Sequence, residues 1–260
     1  MTRALRVLRA AAELEIRHVA VNLFMLFCAL FQPFFIAVTV MFMVRQRADF
    51  DPVYVVIGSG LSGLWSVALF DGNWALGGER QRGTLELLVA APAALATTVA
   101  GKLVGGMAFS LSSMLLSYGI GAWLFGYELR VQEPLPFAVS LLLAVASIGA
   151  MGLLFAPLGI LARFINQFIS ILEYPVYIFG GFLFPILLLP GWTHPLSYAL
   201  PPYWAALALH GTGAGTLTGT ELVAVWSVLA LSTVAVVLVA RAFFRVVLAR
   251  ARGDGTLALS

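Results

Sequence analysis

The stretch that decides the fold is Val19 to Val44, which reads VAVNLFMLFCALFQPFFIAVTVMFMV and carries no charge over 26 positions. A helix crosses about 30 Å of hydrocarbon with about 20 residues, because each residue adds 1.5 Å. The stretch is long enough to span a bilayer and too long for the apolar region of a secretory signal, which has roughly 7 to 15 residues. We therefore predict a membrane-spanning helix that stays in the mature protein.

Further apolar runs of similar length follow along the chain. They are Pro52 to Phe70 with a helical continuation towards Gly77, Leu103 to Tyr127, Pro134 to Ala162, Ile165 to Leu189 and Leu222 to Ala240. Across the chain 61% of residues are hydrophobic and 10% are charged, against about 45–50% and about 25% in soluble domains. The sequence predicts an all-α integral membrane protein whose single membrane domain, residues 19–250, has six transmembrane helices.

The basic residues predict the orientation of these spans. With cytoplasmic termini, the segments on the inner side carry Arg3, Arg6, Arg9, Arg17, Arg80, Arg82, Lys102, Arg163, Arg241, Arg245, Arg250 and Arg252, and those on the outer side carry only Arg45, Arg47 and Arg130. Membrane proteins keep an excess of Lys and Arg in their cytoplasmic loops. We predict a plasma-membrane protein with both termini in the cytoplasm, residues 251–260 forming a cytoplasmic tail. Because the basic residues flank apolar runs, they do not indicate a nucleic-acid partner.

Two segments are predicted to lie along the membrane rather than to cross it. Residues 1–18 place arginines on one helical arc and apolar residues on another, which predicts an interfacial amphipathic helix in contact with lipid headgroups. Residues 190–218 contain four prolines, Trp192 and Trp204 and no Asp, Glu, Lys or Arg. Prolines break long helices and aromatic residues suit the membrane interface, so we predict short helices that re-enter the outer leaflet before the last span.

The sequence contains patterns that resemble nucleotide-binding motifs, but their positions in the chain argue against that function. Gly58 to Gly63 matches the G-x-G-x-x-G pattern of dinucleotide loops, but it lies inside the second span, where Gly58 and Ser62 suit close helix packing. The stretch before Lys102 lacks the first glycine and the Ser/Thr of a phosphate loop. No His or Cys spacing suggests a metal site, and no catalytic motif is present. We therefore expect a chain that is not an enzyme and binds no cofactor of its own.

Polar residues within the spans are candidates for a translocation path. Glu173 lies roughly 14 Å beyond the inner boundary of its span, at a depth where ionisable residues usually face a bundle interior or a wet cavity. Its neighbours Tyr174 and Tyr177 belong to the same candidate path, as do Asn22 and Gln32 in the first span. The alternative for Glu173 is an acid that only holds helices together through hydrogen bonds.

Asp71 lies about two turns from the inner end of the second span. We favour a structural role for this residue, in which its carboxyl reaches the interface or pairs with a neighbouring helix.

The inner loop, residues 77–96, reads GGERQRGTLELLVAAPAALA. Thr84 suits a helix N-cap and is followed by Leu85, Leu87, Leu88 and Val89, so a short amphipathic helix is predicted to start after Gly83 and stop near Pro92.

In this loop the sequence resembles the type-2 ABC exporter permeases, whose inner loop typically reads E-R-x-x-G-T-L-E-x-L followed by a proline. The matching residues are Glu79, Arg80, Gly83, Thr84, Leu85, Glu86, Leu88 and Pro92. A second resemblance covers residues 182–202, where Phe184-Pro185, Pro190-Gly191-Trp192 and Leu200-Pro201 follow the family pattern. Glu173 departs from that pattern, which has an apolar or amide residue there.

The resemblance implies an assembly of two permease subunits, identical or different, with two ABC ATP-binding subunits that bind ATP and magnesium. It also implies that the matching residues between 79 and 92 couple the permease to the ATPase. We therefore expect an exporter of an amphipathic or lipid-like substrate. A proton-coupled secondary transporter that uses Glu173 and a non-transporting membrane scaffold are the alternatives.

Overall fold

The computed structural model describes residues 3–44, 51–91, 94–126, 130–161 and 165–254. These residues form helices and contain no strand. The α-helices are α1 (Arg3–Val21), α2 (Leu23–Leu26), α3 (Gln32–Val44), α4 (Pro52–Gln81), α5 (Leu85–Ala90), α6 (Leu95–Phe125), α7 (Pro134–Leu161), α8 (Ile165–Phe179), α9 (His194–Ala199), α10 (Pro201–Gly213) and α11 (Gly219–Asp254). A π-helical turn, Phe27–Phe31, joins α2 to α3, so that these elements continue one another.

In the described part of the chain, five helical segments are long and apolar enough to cross a membrane. They are Leu23–Met43, Pro52–Gln81, Leu95–Phe125, Pro134–Leu161 and Gly219–Ala249. The protein is therefore a multi-pass membrane protein. The fifth predicted span, Ile165 to Leu189, differs, because its run forms α8 with only 15 residues. The helix ends at Phe179 and is followed by Gly180 and by Gly181, whose φ of +68° is left-handed. The proline-rich segment comes next.

Helix α4 lies at the centre of the molecule. It contacts α3, α6, α7, α8 and α10, and 89% of its most apolar stretch is buried, against 17% for α11. Small residues permit these close contacts, since a Cβ at Gly58 would overlap the Phe182 carbonyl oxygen and one at Gly72 would lie 2.7 Å from the Gly152 carbonyl oxygen. The prediction that the glycines of this helix serve packing is confirmed.

Helix α8 runs antiparallel to α4. The Ser66 hydroxyl donates to Glu173 Oε1 at 2.6 Å, the Tyr177 hydroxyl to the Ser62 carbonyl at 3.3 Å, and the Tyr54 hydroxyl to the Gly181 carbonyl at 2.8 Å. In these three hydrogen bonds the residue number increases along α8 while that of its partner on α4 decreases, which shows that the two helices run in opposite directions. The paired part of α4, from Ser66 to Tyr54, is about 18 Å long at 1.5 Å per residue.

The predicted N-terminal helix is confirmed, but it extends beyond residue 18 to Val21. It packs on α6, where Gly101 and Gly105 lie against the Leu8 and Ala12 carbonyls. Glycines four residues apart allow two helix backbones to approach closely. The helix breaks at Asn22, whose side-chain oxygen accepts hydrogen bonds from the backbone of Phe24 and Met25 and so caps α2.

The segment before the last span forms short helices, as its prolines predicted. Two 3₁₀ turns, Ile186–Leu188 and Gly191–Thr193, precede α9 and α10. Pro195 and Pro201 lie in the first turns of α9 and α10, where a missing N–H costs nothing. The carboxyl end of α10 is tied to the start of α7, because the Gln132 N–H donates to the Gly213 carbonyl at 2.9 Å.

Candidate functional site

The chain turns sharply between α4 and α5. Gly83 has a φ of +70°, which side chains with a Cβ rarely adopt. Its N–H donates to the Arg80 carbonyl at 3.1 Å and the Thr84 N–H donates to the Glu79 carbonyl at 2.9 Å. This pair of bonds is the Schellman motif that ends many helices. Gly83 therefore fixes the direction in which α5 leaves α4.

Glu79 connects three elements at this turn. Its Oε1 accepts a hydrogen bond from Lys102 Nζ of α6 at 2.7 Å, and Arg82 Nη1 lies 3.5 Å from the same atom. Its Oε2 accepts the Thr84 hydroxyl at 2.5 Å. Hydrogen bonds that involve an ionised group are short and strong. The turn is thus attached to the ends of both α4 and α6.

Thr84 occupies the N-cap position that was predicted, but its side chain does not cap α5. Its hydroxyl donates to Glu79 instead. The carboxylate is a stronger partner for the hydroxyl than the backbone, and its position five residues earlier could not be read from the capping pattern.

Helix α5 presents different residues to its two sides. Leu85 is buried against Leu76, Leu95 and Val247, and Leu88 and Val89 pack on the same cluster. The opposite side exposes Glu86, Leu87 and Ala90. Leu87 is 72% exposed, and it was not among the residues chosen from the family pattern. Its position could have been found from the helical period, since Leu85 and Leu88 define the side opposite to it.

The inner-loop residues that match the family pattern therefore have different structural roles. Glu79 and Thr84 hold the turn, Gly83 shapes it, Leu85 and Leu88 attach α5 to the helices behind it, and Glu86 projects outward. Arg80 lies in the last turn of α4. Pro92 lies outside the described residues.

A second group of predicted residues meets around Glu173. This carboxyl is 5% exposed, and its Oε1 accepts hydrogen bonds from Ser66, Tyr177 and Gln32 at 2.6, 2.8 and 3.0 Å. Three helices meet here, since Gln32 belongs to α3, Ser66 to α4 and the other two to α8. We name Glu173, Gln32, Ser66 and Tyr177 the Glu173 network.

The other candidates for the translocation path lie elsewhere. Asn22 caps α2. Tyr174 is exposed on α8, although its ring makes an edge contact with Tyr177. Ser66 was not predicted from the sequence. A serine in a glycine-rich helix looks the same in the sequence whether it only allows close helix packing or also donates a hydrogen bond. The hydrogen-bonding role becomes visible only in the structure, where Glu173 on the facing helix accepts from Ser66.

The arrangement suits mechanical coupling. The Glu173 network fixes α8 and α3 to α4, and the inner loop fixes α5 to α4 and α6. A carboxylate with several donors is stabilised where it is, so the network holds these helices in one register. A movement of α8 along α4 has to break hydrogen bonds in the membrane interior, where no water replaces them.

Comparison with known proteins identifies the family. No curated protein is similar enough to count as a relative. A family model described as an ABC-2 type transporter matches residues 75–212, a range that begins in the last turns of α4 and continues through α5 and α8 into α10. This range is more than half of the 260 residues. The protein therefore belongs to the ABC-2 type transporter family, as a membrane-embedded transport subunit.

Proposed function

We propose that the protein is the permease subunit of an ATP-driven exporter that moves an amphipathic or lipid-like substrate out of the cytoplasm. Two copies of a separate ATP-binding subunit bind ATP and magnesium and hydrolyse the nucleotide. The observation that carries this proposal is α5, a short helix that is held from behind and exposed in front.

A coupling element has to be both accessible and firmly attached. Glu86 and Leu87 are exposed on α5 and are available to a partner. Leu85 and the hydrogen bonds of Glu79 attach α5 to α4 and α6. Because α4 contacts most of the other helices, a force on α5 reaches the centre of the membrane domain directly. We propose that the ATP-binding subunit grips Glu86 and Leu87, and that α1 braces the same subunit.

In the proposed topology the chain crosses the plasma membrane six times. The fifth crossing is α8 with the residues up to Gly181, which run antiparallel to α4 as a crossing helix would, and α11 is the sixth. The prolines before α11 support short helices, α9 and α10, that re-enter the outer leaflet. The excess of basic residues at one side supports cytoplasmic termini.

A second permease subunit, identical or different, packs against α8 in this proposal. Ile171, Tyr174 and Ile178 are exposed large side chains on α8, and their spacing of three and four residues places them on one face. The Glu173 network lies directly behind that face. The substrate path would run between the two copies, beside Tyr174.

The decisive experiment first isolates the assembly and then removes the Leu87 side chain that is proposed to contact the ATP-binding subunit. The chain is extracted from its native membranes in mild detergent, its partners are counted by native mass spectrometry, and ATPase activity is measured in nanodiscs. We expect two permease and two ATP-binding subunits. Leu87→Ser should lower the associated ATPase activity about tenfold or more, because it removes a large side chain from the centre of a small interface.

The matched control is Leu187→Ser, which changes another leucine on a short helical turn at the other end of the molecule, where the side chain is 83% exposed. It should leave the ATPase activity unchanged. The proposal is wrong if Leu87→Ser has no effect, or if the purified permease alone hydrolyses ATP. Transport that survives ATP depletion and collapses with the pH gradient would instead favour a proton carrier, and partner binding without transport a scaffold.

A further inference from the structure

A cavity with a mostly apolar wall and a few polar side chains lies in the half of the molecule that contains the inner loop. Its volume is about 270 Å³, and the polar residues of its wall are His18, Asn22, Ser66, Asp71 and Arg82. Phe24 and Trp74, both exposed, also line it. A smaller cavity of about 50 Å³ adjoins Asp71 from the side of Glu15 and Lys102. We call the larger space the inner cavity.

Asp71 lines both spaces. Its residue is 6% exposed, and its Oδ2 has no hydrogen-bond partner among the described residues. The carboxyl fits there because Gly106 of α6 has no side chain, so that Oδ2 occupies the position of a Cβ. The expected pairing of Asp71 with a neighbouring helix is therefore not found in the described part of the chain.

The other charged groups around the inner cavity have partners of opposite charge. His18 Nδ1 lies 3.1 Å from Glu15 Oε1, and Lys102 and Arg82 lie 2.7 and 3.5 Å from Glu79. Within the described residues Asp71 has no ion pair of this kind. Burial of an unpaired carboxylate is costly, and ionisable residues within membrane segments usually mark sites of function. Lys102 lines the smaller cavity together with Asp71 but bonds to Glu79, so Oδ2 of Asp71 is left without a hydrogen-bond donor among the described residues.

We propose that the inner cavity binds the protonated amine of an amphipathic substrate, with the ammonium group bonded to Asp71. The apolar part of the substrate lies towards Phe24 and Trp74, whose aromatic faces also attract cations. A volume of about 270 Å³ is at the small end for ligand pockets, so it holds the charged end and the first apolar group. This inference rests on the proposed export function and specifies its substrate class.

The first test needs no variant. Naphthylethylamine, which is a cation at neutral pH, its neutral analogue naphthylethanol and the anion naphthylacetate are titrated into the nanodisc-embedded assembly without ATP, and binding is measured by calorimetry. The amine should bind at least about tenfold more tightly than the alcohol, because a hydrogen bond between two charged groups is stronger than one to a neutral group. Equal affinities for the amine and the alcohol would overturn the inference.

Variants then assign the site. Asp71→Asn should weaken amine binding about tenfold and leave naphthylethanol unaffected, while Asp71→Glu, which keeps the charge, should retain the preference. Glu221→Gln is the matched control, since it removes an exposed carboxyl in the first turn of α11. Undiminished amine binding by a folded Asp71→Asn protein places the amine elsewhere and refutes the site.

The site and the export function can fail separately. Partner-dependent ATPase activity without any amine preference would refute the inner cavity as an amine site and leave the exporter intact. Amine preference in a chain that associates with no ATPase would refute the exporter and retain the site.

Discussion

The Glu173 network and the inner cavity contain two carboxyls that are buried to the same extent, with 5% exposure for Glu173 and 6% for Asp71. Ser66 of the network lies only five residues before Asp71 on α4. Glu173 meets donors from three helices, whereas Oδ2 of Asp71 meets Gly106 and no donor among the described residues. Depth in the membrane therefore does not assign a role to an acid. The partners around it do, so we expect loss of the acceptor at Glu173 to destabilise the protein and neutral substitution of Asp71 to stabilise it.

The largest effect is expected for Glu173→Leu. The hydroxyls of Ser66 and Tyr177 and the amide of Gln32 would lose their shared acceptor. We expect the free energy of unfolding to fall by about 2 kcal/mol, since buried donors without a partner are costly while hydrogen bonds inside membrane proteins are individually modest. Reversible unfolding in mixed micelles, followed by tryptophan fluorescence, measures the change.

Glu173→Gln is the control for that substitution. Its amide oxygen can accept from the same donors, so most of the stability should remain. If the leucine and glutamine variants unfold alike, the network does not hold the helices together. A loss of transport in a stable glutamine variant would show that the charge of Glu173 has a role beyond this network.

A smaller effect is expected for Gly106→Ala, which probes the other acid. The new methyl group would take the space of Asp71 Oδ2 and would lie 2.9 Å from Val67 Cγ1. Overpacking usually costs about 1–3 kcal/mol, and we expect about 1 kcal/mol here because the nearest atom is the end of a side chain that can shift. In an Asp71→Ala background the same substitution should cost clearly less, because the main clash is gone. A double-mutant cycle on unfolding free energies measures the coupling, and an additive result would contradict the close contact.

The smallest effect, and the only one with the opposite sign, is expected for Asp71→Asn. The substitution keeps the shape and removes an ionisable group whose burial without a partner is costly, so the empty protein should gain about 0.5–1 kcal/mol in unfolding free energy. Binding of naphthylethylamine should stabilise the unsubstituted protein and not the variant. Thermal unfolding with and without the amine tests both points, and a destabilised variant would mean that Asp71 has a structural partner.

Much of the architecture could be predicted from the sequence. Uncharged runs located all five long spans, the charge pattern located the N-terminal helix, and the prolines located the short helices before α11. The inner loop was also predictable, because Gly83 suits a left-handed turn and the leucines after Thr84 have helical spacing. These features could be predicted because each depends on interactions between residues that are close together in the chain.

The functional contacts were predictable only in part. Glu173 and Gln32 were chosen because polar side chains are rare in spans, but their 141 residues of separation left their pairing open. Ser66 and Leu87 were missed. For Asp71 we expected a carboxyl that reaches the interface or pairs with a neighbouring helix, and its Oδ2 has no hydrogen-bond partner among the described residues. The contacts of these residues depend on which helices pack against each other and in what register, and a single sequence does not specify either.

By itself, the sequence determined that this is a helical, multi-pass membrane protein with an amphipathic N-terminal helix and a short helix in its inner loop, because hydrocarbon thickness and backbone hydrogen bonding leave an apolar chain few other choices. Only the tertiary structure decided which buried acid is satisfied and which is not. Helices in lipid gain little from hiding apolar faces from one another. Their contacts are therefore set by small residues and polar pairs from distant parts of the chain, and those pairs exist only once the helices have packed.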